Sequence, residues 1–339
     1  MLKKYLKIEN LSATQINEIN NFNNNTKIKY EKLSKCEICA SNKLNILFIN
    51  DRYGINQKTS ICNNCGFIFS NPRMTKLSAE IFYNSDTYRL IYNDNNENID
   101  RKKLLDNVIK ELENYKSPNP KTPNFDSYYS NLYFDFINFE IKDFETVLDI
   151  GCGKGKKLID FNSLGKKTYG IEPSKVYHQA HKHLGLNIKL GFINDITEKY
   201  DLVILSHVLE HLNDLEKNID HLHNITNKYL FIEVPGNVNK LQSIQNAHNY
   251  YFSINSLNYF FLNNKFNLIK IEYAKDNNFL FALYEKTETK SHFMFDKVSE
   301  LRSTKKIIRN YLFKYLIIKL LSLMGIANIT KKFIKFIKK

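Results

Sequence analysis

Short apolar runs alternate with amphipathic stretches through the second half of the chain, and this rhythm sets it apart from the rest. Val147-Leu148 leads into Asp149-Ile150-Gly151-Cys152-Gly153-Lys154-Gly155, an apolar strand breaking into a glycine-rich turn. Lys156 to Ser163 has helical spacing and is closed by Gly165, and Thr168-Tyr169-Gly170-Ile171-Glu172-Pro173 reads as a second strand ending in an acid. Asn187 to Leu190 predicts a third strand and Asp201 to Leu205 a fourth. Leu268 to Tyr273 and Phe279 to Tyr284 flank Lys275-Asp276-Asn277-Asn278 and predict a closing antiparallel hairpin. Strands separated by helical periods indicate βαβ units and an α/β fold.

The first third has a different texture. Ile46 to Ile49, Thr59 to Ile61 and Phe67 to Phe69 read as short strands, and Asn71-Pro72 stops the last. Leu77 to Tyr83 predicts a helix, and Asn98 to Tyr115 a longer one with Leu105, Val108, Ile109 and Leu112 on one face. Residues 117–123 hold three of the six prolines and mark a loop, and a short aromatic-rich helix is expected from Tyr128 to Phe139. The predicted organisation is an N-terminal helical or flexible segment (1–35), a small ribbon (36–75), a helical connector (76–139), an α/β domain (140–286) and a helical tail (287–339).

Two clusters carry chemistry. Cys36-Glu-Ile-Cys39 and Cys62-Asn-Asn-Cys65 are paired thiols about twenty residues apart, a spacing that suits one tetrahedral ion on a β-ribbon. With no His nearby, the reading is a closed Zn2+ site of Cys36, Cys39, Cys62 and Cys65; two disulfides or redox pairs are the alternatives. In the glycine turn the spacing is G-x-G-x-G, and Asp149 sits two places before its first glycine. A carboxylate there repels a pyrophosphate but suits an ammonium or a sulfonium. Glu172 lies about twenty residues on, where a βαβ unit brings an acid to a ribose.

The run from Val147 to Gly155 resembles motif I of class I methyltransferases that use S-adenosyl-L-methionine (SAM). Ser206-His207-Val208-Leu209-Glu210-His211-Leu212 resembles the segment after the fourth strand in one branch of that family. His248-Asn249-Tyr250-Tyr251-Phe252-Ser253 is similar to its lid. With the cysteine ribbon and Asn71 to Thr75, the resemblance is to bacterial methyltransferases with an N-terminal zinc ribbon, often associated with sugar modification and surface polysaccharide. It implies a Rossmann-like sheet with a terminal hairpin. Asp149, Gly151, Gly153 and Gly155 would hold the methionine part of SAM, Glu172 the ribose, and Asn194 and Ser206 the rest of the cofactor pocket. His207 or His248 would be the base, with Tyr251 beside it; Glu210 and His211 are expected to cap or pack. After residue 286 the chain departs from the nucleotide-sugar C-methylating members, which carry a large C-terminal domain there.

Of the net charge of +14, residues 297–339 carry +11 (ten Lys and two Arg less Glu300), so the basicity belongs to the tail. Lys305 to Lys319 interleaves cations with Ile307, Ile308, Tyr311, Tyr315 and Ile318, and the last nine residues repeat that pattern. A basic amphipathic helix on an anionic membrane surface fits this pattern. Packing on the enzyme, a dimer contact and RNA binding are the alternatives. No signal-peptide pattern opens the chain, so a cytoplasmic location is expected, with possible contact at the inner membrane. The functional expectation is methyl transfer to a sugar or glycan acceptor, nucleotide-linked or otherwise. An RNA methyltransferase is the second reading, and a non-catalytic scaffold the third.

Overall fold

The computed structural model describes residues 11–92, 98–115, 133, 136–137, 143–236, 241, 243–274 and 277–323. The proline-rich stretch 117–123, most of the predicted helix 128–139 and the last sixteen residues lie outside them. The N-terminal part runs α1 (Ala13–Asn23), β1 (Tyr30–Glu31), β2 (Leu44–Phe48), β3 (Thr59–Cys62), β4 (Ile68–Ser70), β5 (Arg73–Met74), α2 (Lys76–Asn84), α3 (Thr87–Ile91) and α4 (Arg101–Glu113). Then follow β6 (Thr146–Ile150), α5 (Lys156–Ser163), β7 (Lys167–Glu172), α6 (Lys175–His183), β8 (Ile188–Leu190), β9 (Tyr200–Ser206), α7 (Leu215–Ile225) and β10 (Thr226–Pro235). The chain continues through β11 (Tyr250–Tyr251), α8 (Ile254–Leu262), β12 (Phe266–Ala274), β13 (Phe279–Lys286) and α9 (Lys297–Leu323).

The principal sheet has the order β12-β13-β10-β9-β6-β7-β8, parallel except for β13, which runs antiparallel to both its neighbours. This is the Rossmann-like fold of class I methyltransferases, terminal hairpin included. Its strands are apolar on both faces, as a sheet covered on both sides requires. Leu148, Val203, Leu205, Leu230 and Ile232 belong to one core, and Val147, Leu202, Ile204, Phe231 and Phe281 to the other. Alternate residues thus enter opposite layers, and each fully buried side chain contributes about 1.5–3 kcal/mol. The strand order reverses between β6 and β9, where an open α/β sheet leaves a crevice for ligand at the C-terminal strand ends.

The ribbon sheet is joined to the larger domain. Its order is β11-β4-β3-β2, and β11 comes from the far end of the chain, with Tyr250 opposite Phe69. Local periodicity does not reveal such a two-residue strand, because its partner lies 181 positions away. The start of the tail is also docked. Ile307, Ile308 and Tyr311 of α9 pack against the core of Leu47, Phe48, Ile61 and Ile68. Ser253 Oγ donates to Glu300 Oε2 at 2.9 Å. The apolar positions expected to face a membrane at 307, 308 and 311 therefore face the ribbon, because its sheet leaves an apolar surface that they cover. Among the described residues no helix is long and apolar enough to cross a membrane.

Candidate active site

At the sheet's reversal point lies a cavity of about 750 Å³. Its inner wall is the β6–α5 turn. Gly151 and Gly153 have φ of +63° and +56°, and a Cβ on Gly151 would stand 2.6 Å from Val208 Cγ2. A Cβ on Gly153 would meet nothing within 4 Å, so its backbone lies open to a ligand. Gly155 does not line the cavity; it opens α5 at φ +86°, and a Cβ there would press on Ile188 and Leu186. Asp149 ends β6 beside the turn, and its carboxylate has no hydrogen bond or ion pair among the described residues. Burial pushes its pKa up to about 7, partly countered by the charge of Lys157, which lines the same cavity. A buried acid facing a cavity without a partner is suited to a cationic ligand group.

Glu172, fully buried at the end of β7, staples the turn. Its Oε2 accepts from Gly153 N at 2.9 Å, and its Oε1 from Ser174 N at 3.0 Å and Arg89 Nη2 at 2.9 Å. Arg89 stands on α3 and stacks on Tyr88 and Tyr177. About one of the carboxylate's four lone-pair sites is left for a ribose. Asn194 and Ser206 line the same cavity, and Ser206 Oγ donates to Glu233 Oε2 at 2.5 Å.

The histidines occupy three different settings. His207 lines the cavity at φ +55°, with Nδ1 3.2 Å from Glu210 Oε1 and Nε2 3.4 Å from Glu233 Oε1. Both its ring nitrogens thus face buried carboxylates, and burial pushes Glu233 up to about 8. His248 does not line the cavity. It is buried, its Nε2 lies 2.6 Å from the Gln245 amide nitrogen, and burial holds it well below the usual imidazole range. Tyr251 is buried beside it, with its hydroxyl 3.5 Å from His248 O. His211, expected to pack, lines the cavity instead. A short 3₁₀ turn over Leu209–His211 replaces the α-helical turn that would have carried it away.

Sequence reasoning also missed the outer wall, which the N-terminal part supplies. Arg73 on β5, almost fully buried, binds Glu31 Oε1 at 2.7 Å and Glu37 Oε2 at 3.2 Å, and also donates to the Tyr250 hydroxyl. Glu31, Glu37, Lys76, Glu80 and Tyr83 line this part of the cavity together with Asn213 and Asn218, and Asn213 Nδ2 donates to Met74 O at 2.8 Å. Glu37 and Arg73 lie in motifs that the sequence singles out for other reasons, the rest lie in none, and only the folding of the ribbon over the sheet brings them to the cavity.

About the ribbon, the four thiols converge. Cys36 Sγ lies 3.6 Å from Cys65 Sγ and Cys39 Sγ 3.5 Å from Cys62 Sγ, and all four lie within 4.8 Å of one another. None is disulfide-bonded. Four sulfurs at ~2.3 Å from a zinc ion would stand about 3.8 Å apart, so the set fits that ion. Glu210, His211 and His248 also bring ligand-type atoms within 4.8 Å. There, however, His211 Nδ1 faces the Ala247 carbonyl and Tyr83, and His248 Nε2 faces Gln245.

Comparison with known proteins agrees with this geometry. Residues 125–271 match the family model described as a methyltransferase domain. Ubiquinone biosynthesis O-methyltransferase of Rhodopseudomonas palustris (strain BisB5) is 34% identical over 77 residues, 20% of this chain and 30% of that protein. The corresponding enzyme of Nitrobacter winogradskyi is 29% identical over 82 residues, 22% of this chain and 31% of that protein. The chain thus spans under a third of the length of these curated relatives. Among solved structures, magnesium protoporphyrin IX methyltransferase of Synechocystis PCC 6803 with bound SAH aligns at 17% identity and a TM-score of 0.43, covering 63% of this chain and all of that one. Fold, turn and family match define the class: the chain carries a class I SAM-dependent methyltransferase domain.

Proposed function

We propose that the protein transfers the methyl group of SAM to a hydroxyl of a polyhydroxylated acceptor, a sugar or glycan intermediate of surface polysaccharide. A structural Zn2+ on Cys36, Cys39, Cys62 and Cys65 would hold the ribbon against the domain. SAM supplies a methyl group on a positively charged sulfur. Asp149 and the open backbone at Gly151 and Gly153 would bind its methionine end, and Glu172 would position its ribose. The observation that carries the acceptor class is the outer wall of the cavity. Carboxylates, amides and cations at Glu31, Glu37, Glu80, Lys76, Asn213 and Asn218 line it, and such groups recognise hydroxyls by fixed hydrogen bonds. The relatives named for ubiquinone biosynthesis suggest a second acceptor class, an intermediate of that biosynthesis, and the test below separates the two. In-line displacement requires the acceptor oxygen to be held and stripped of its proton, which is work for the cavity-lining histidines.

The test is transfer of labelled methyl from SAM into an acceptor extract partitioned into nucleotide-sugar, lipid-linked glycan, ubiquinone-intermediate and RNA pools, with Asp149→Asn as the control. Label in the sugar or glycan pools supports this reading. Label in the ubiquinone-intermediate pool or in nuclease-sensitive material overturns it.

A further inference from the structure

We propose that His211 is the base that removes the acceptor's proton, a role resting on the proposed transfer to a hydroxyl. Three observations converge. First, His211 lines the cavity, whereas His248 does not, and both nitrogens of His207 face buried carboxylates. Second, His211 Nδ1 lies 3.0 Å from Ala247 O. A carbonyl only accepts, so the ring is assigned the Nδ1–H tautomer by its partner, and Nε2 is left with the lone pair. No hydrogen bond holds Nε2 among the described residues. Third, Tyr83 Oη stands 2.9 Å from the same Nδ1, where in this tautomer its oxygen is a second acceptor for the Nδ1 proton, and the Tyr83 and Tyr88 rings meet the imidazole edge-on at 6.0 and 5.7 Å. The ring is clamped from both sides by the ribbon connector and by the segment before β11. Burial holds it below the usual imidazole range, and hence neutral.

In the step assigned to it, His211 Nε2 takes the hydroxyl proton as the acceptor oxygen forms its bond to the methyl carbon. The carbon–sulfur bond breaks, its electron pair stays on sulfur, and the neutral thioether SAH leaves. The imidazolium then releases the proton to water. Glu210, the preceding residue, offers a buried carboxylate that favours the transient cation.

Two measurements on the full chain test this. In 15N-histidine NMR of the protein saturated with SAH, His211 should appear as the neutral Nδ1–H tautomer. An Nε2–H ring overturns the proposal whether or not an acceptor has been found. In turnover of whichever extract pool is labelled, His211→Asn should lower kcat by about 10²–10⁴-fold, the usual range for a lost general base. SAH affinity should stay within about twofold, which shows an intact fold and cofactor site. A variant that binds SAH and turns over within about threefold of wild type refutes the assignment. Failure of the wild type on every pool would count against the proposed function, and the tautomer would still decide the state of the ring.

Discussion

Asp149 offers the sharpest quantitative test of the cofactor end of the site. Its carboxylate is buried near the end of β6 with no hydrogen bond or ion pair among the described residues, and burial, partly offset by the charge of Lys157, pushes its pKa up to about 7. A cationic ammonium beside it favours the ionised form, so binding must draw a proton off whenever the pH is at or below that value. If only the ionised form binds tightly, apparent affinity scales with the ionised fraction. That fraction rises from about 0.09 at pH 6 to about 0.76 at pH 7.5 for a pKa near 7, so SAH should bind about eightfold more tightly at the higher pH. An aspartate at the ordinary 3.8 would give no change over this range. Calorimetric titration with SAH, in two buffers of different ionisation enthalpy, reads both the affinity and the proton released. Asp149→Asn keeps the shape and removes the charge. It should bind SAH roughly 10–150-fold more weakly at pH 7.5, the worth of a charge-assisted hydrogen bond at about 1.5–3 kcal/mol, and with no pH slope. A flat wild-type profile, or a slope that survives in the variant, would refute the assignment of Asp149 as the cation-binding group.

Three further outcomes follow from the same geometry. Stripping Zn2+ with a chelator, or Cys62→Ser, should lower Tm by roughly 4 °C, as the loss of about 3 kcal/mol would in a chain of this size; scanning calorimetry with metal analysis checks it, and an unchanged Tm with no bound metal would sink the zinc reading. Gly66→Ala places a Cβ 2.6 Å from Leu301 Cα at φ +80° and should cost about 1–3 kcal/mol, seen as faster protease clipping between the domain and α9. Glu233, raised from 4.5 to about 8 by burial, contributes stability that is complete below pH ~4.5 and lost as pH rises through about 8. Glu233→Gln should therefore flatten the fall of Tm between about pH 4.5 and 8, and an unaltered fall would assign it to other groups.

How much of this was legible in the chain depended on whether the information was local. The strand–turn–helix around Asp149 to Ser163 was readable because its glycines, its acid and its apolar run are contiguous, and α5 spans the predicted residues. The four cysteines were readable because metal geometry limits their spacing. The orientation of the histidines was not. His211 follows Glu210 in a segment whose helical reading points it away from the cavity, and a single 3₁₀ turn reverses that. The short helix α3 was missed because its five residues are too few to show an apolar period. Yet α3 carries Arg89, the partner of Glu172. The outer wall was hidden for a different reason: Glu31, Arg73 and Asn213 are ordinary surface residues until the fold opposes them.

The ribbon's place in the fold gives a module without any residue of the glycine turn a route by which it would act on the proposed chemistry. Cys62 ends β3 and Cys65 precedes β4, so an ion there fixes the relation between these strands. β4 pairs with β11, and Ser70 N donates to Asn249 O at 2.9 Å. Asn249 in turn reaches the candidate base: its backbone N donates to Glu210 O and its side-chain amide to His211 O at 2.9 Å. From the other side, α2 follows β5 directly and brings Tyr83 to the His211 ring. The thiolate cluster, the ribbon and the histidine wall therefore form one hydrogen-bonded path across the cavity's outer half. A loosened ribbon would leave the glycine turn intact while displacing His211, so cofactor binding would outlast turnover. That separation is what distinguishes a ribbon built to shape the acceptor side from one that serves only as a stabilising appendage.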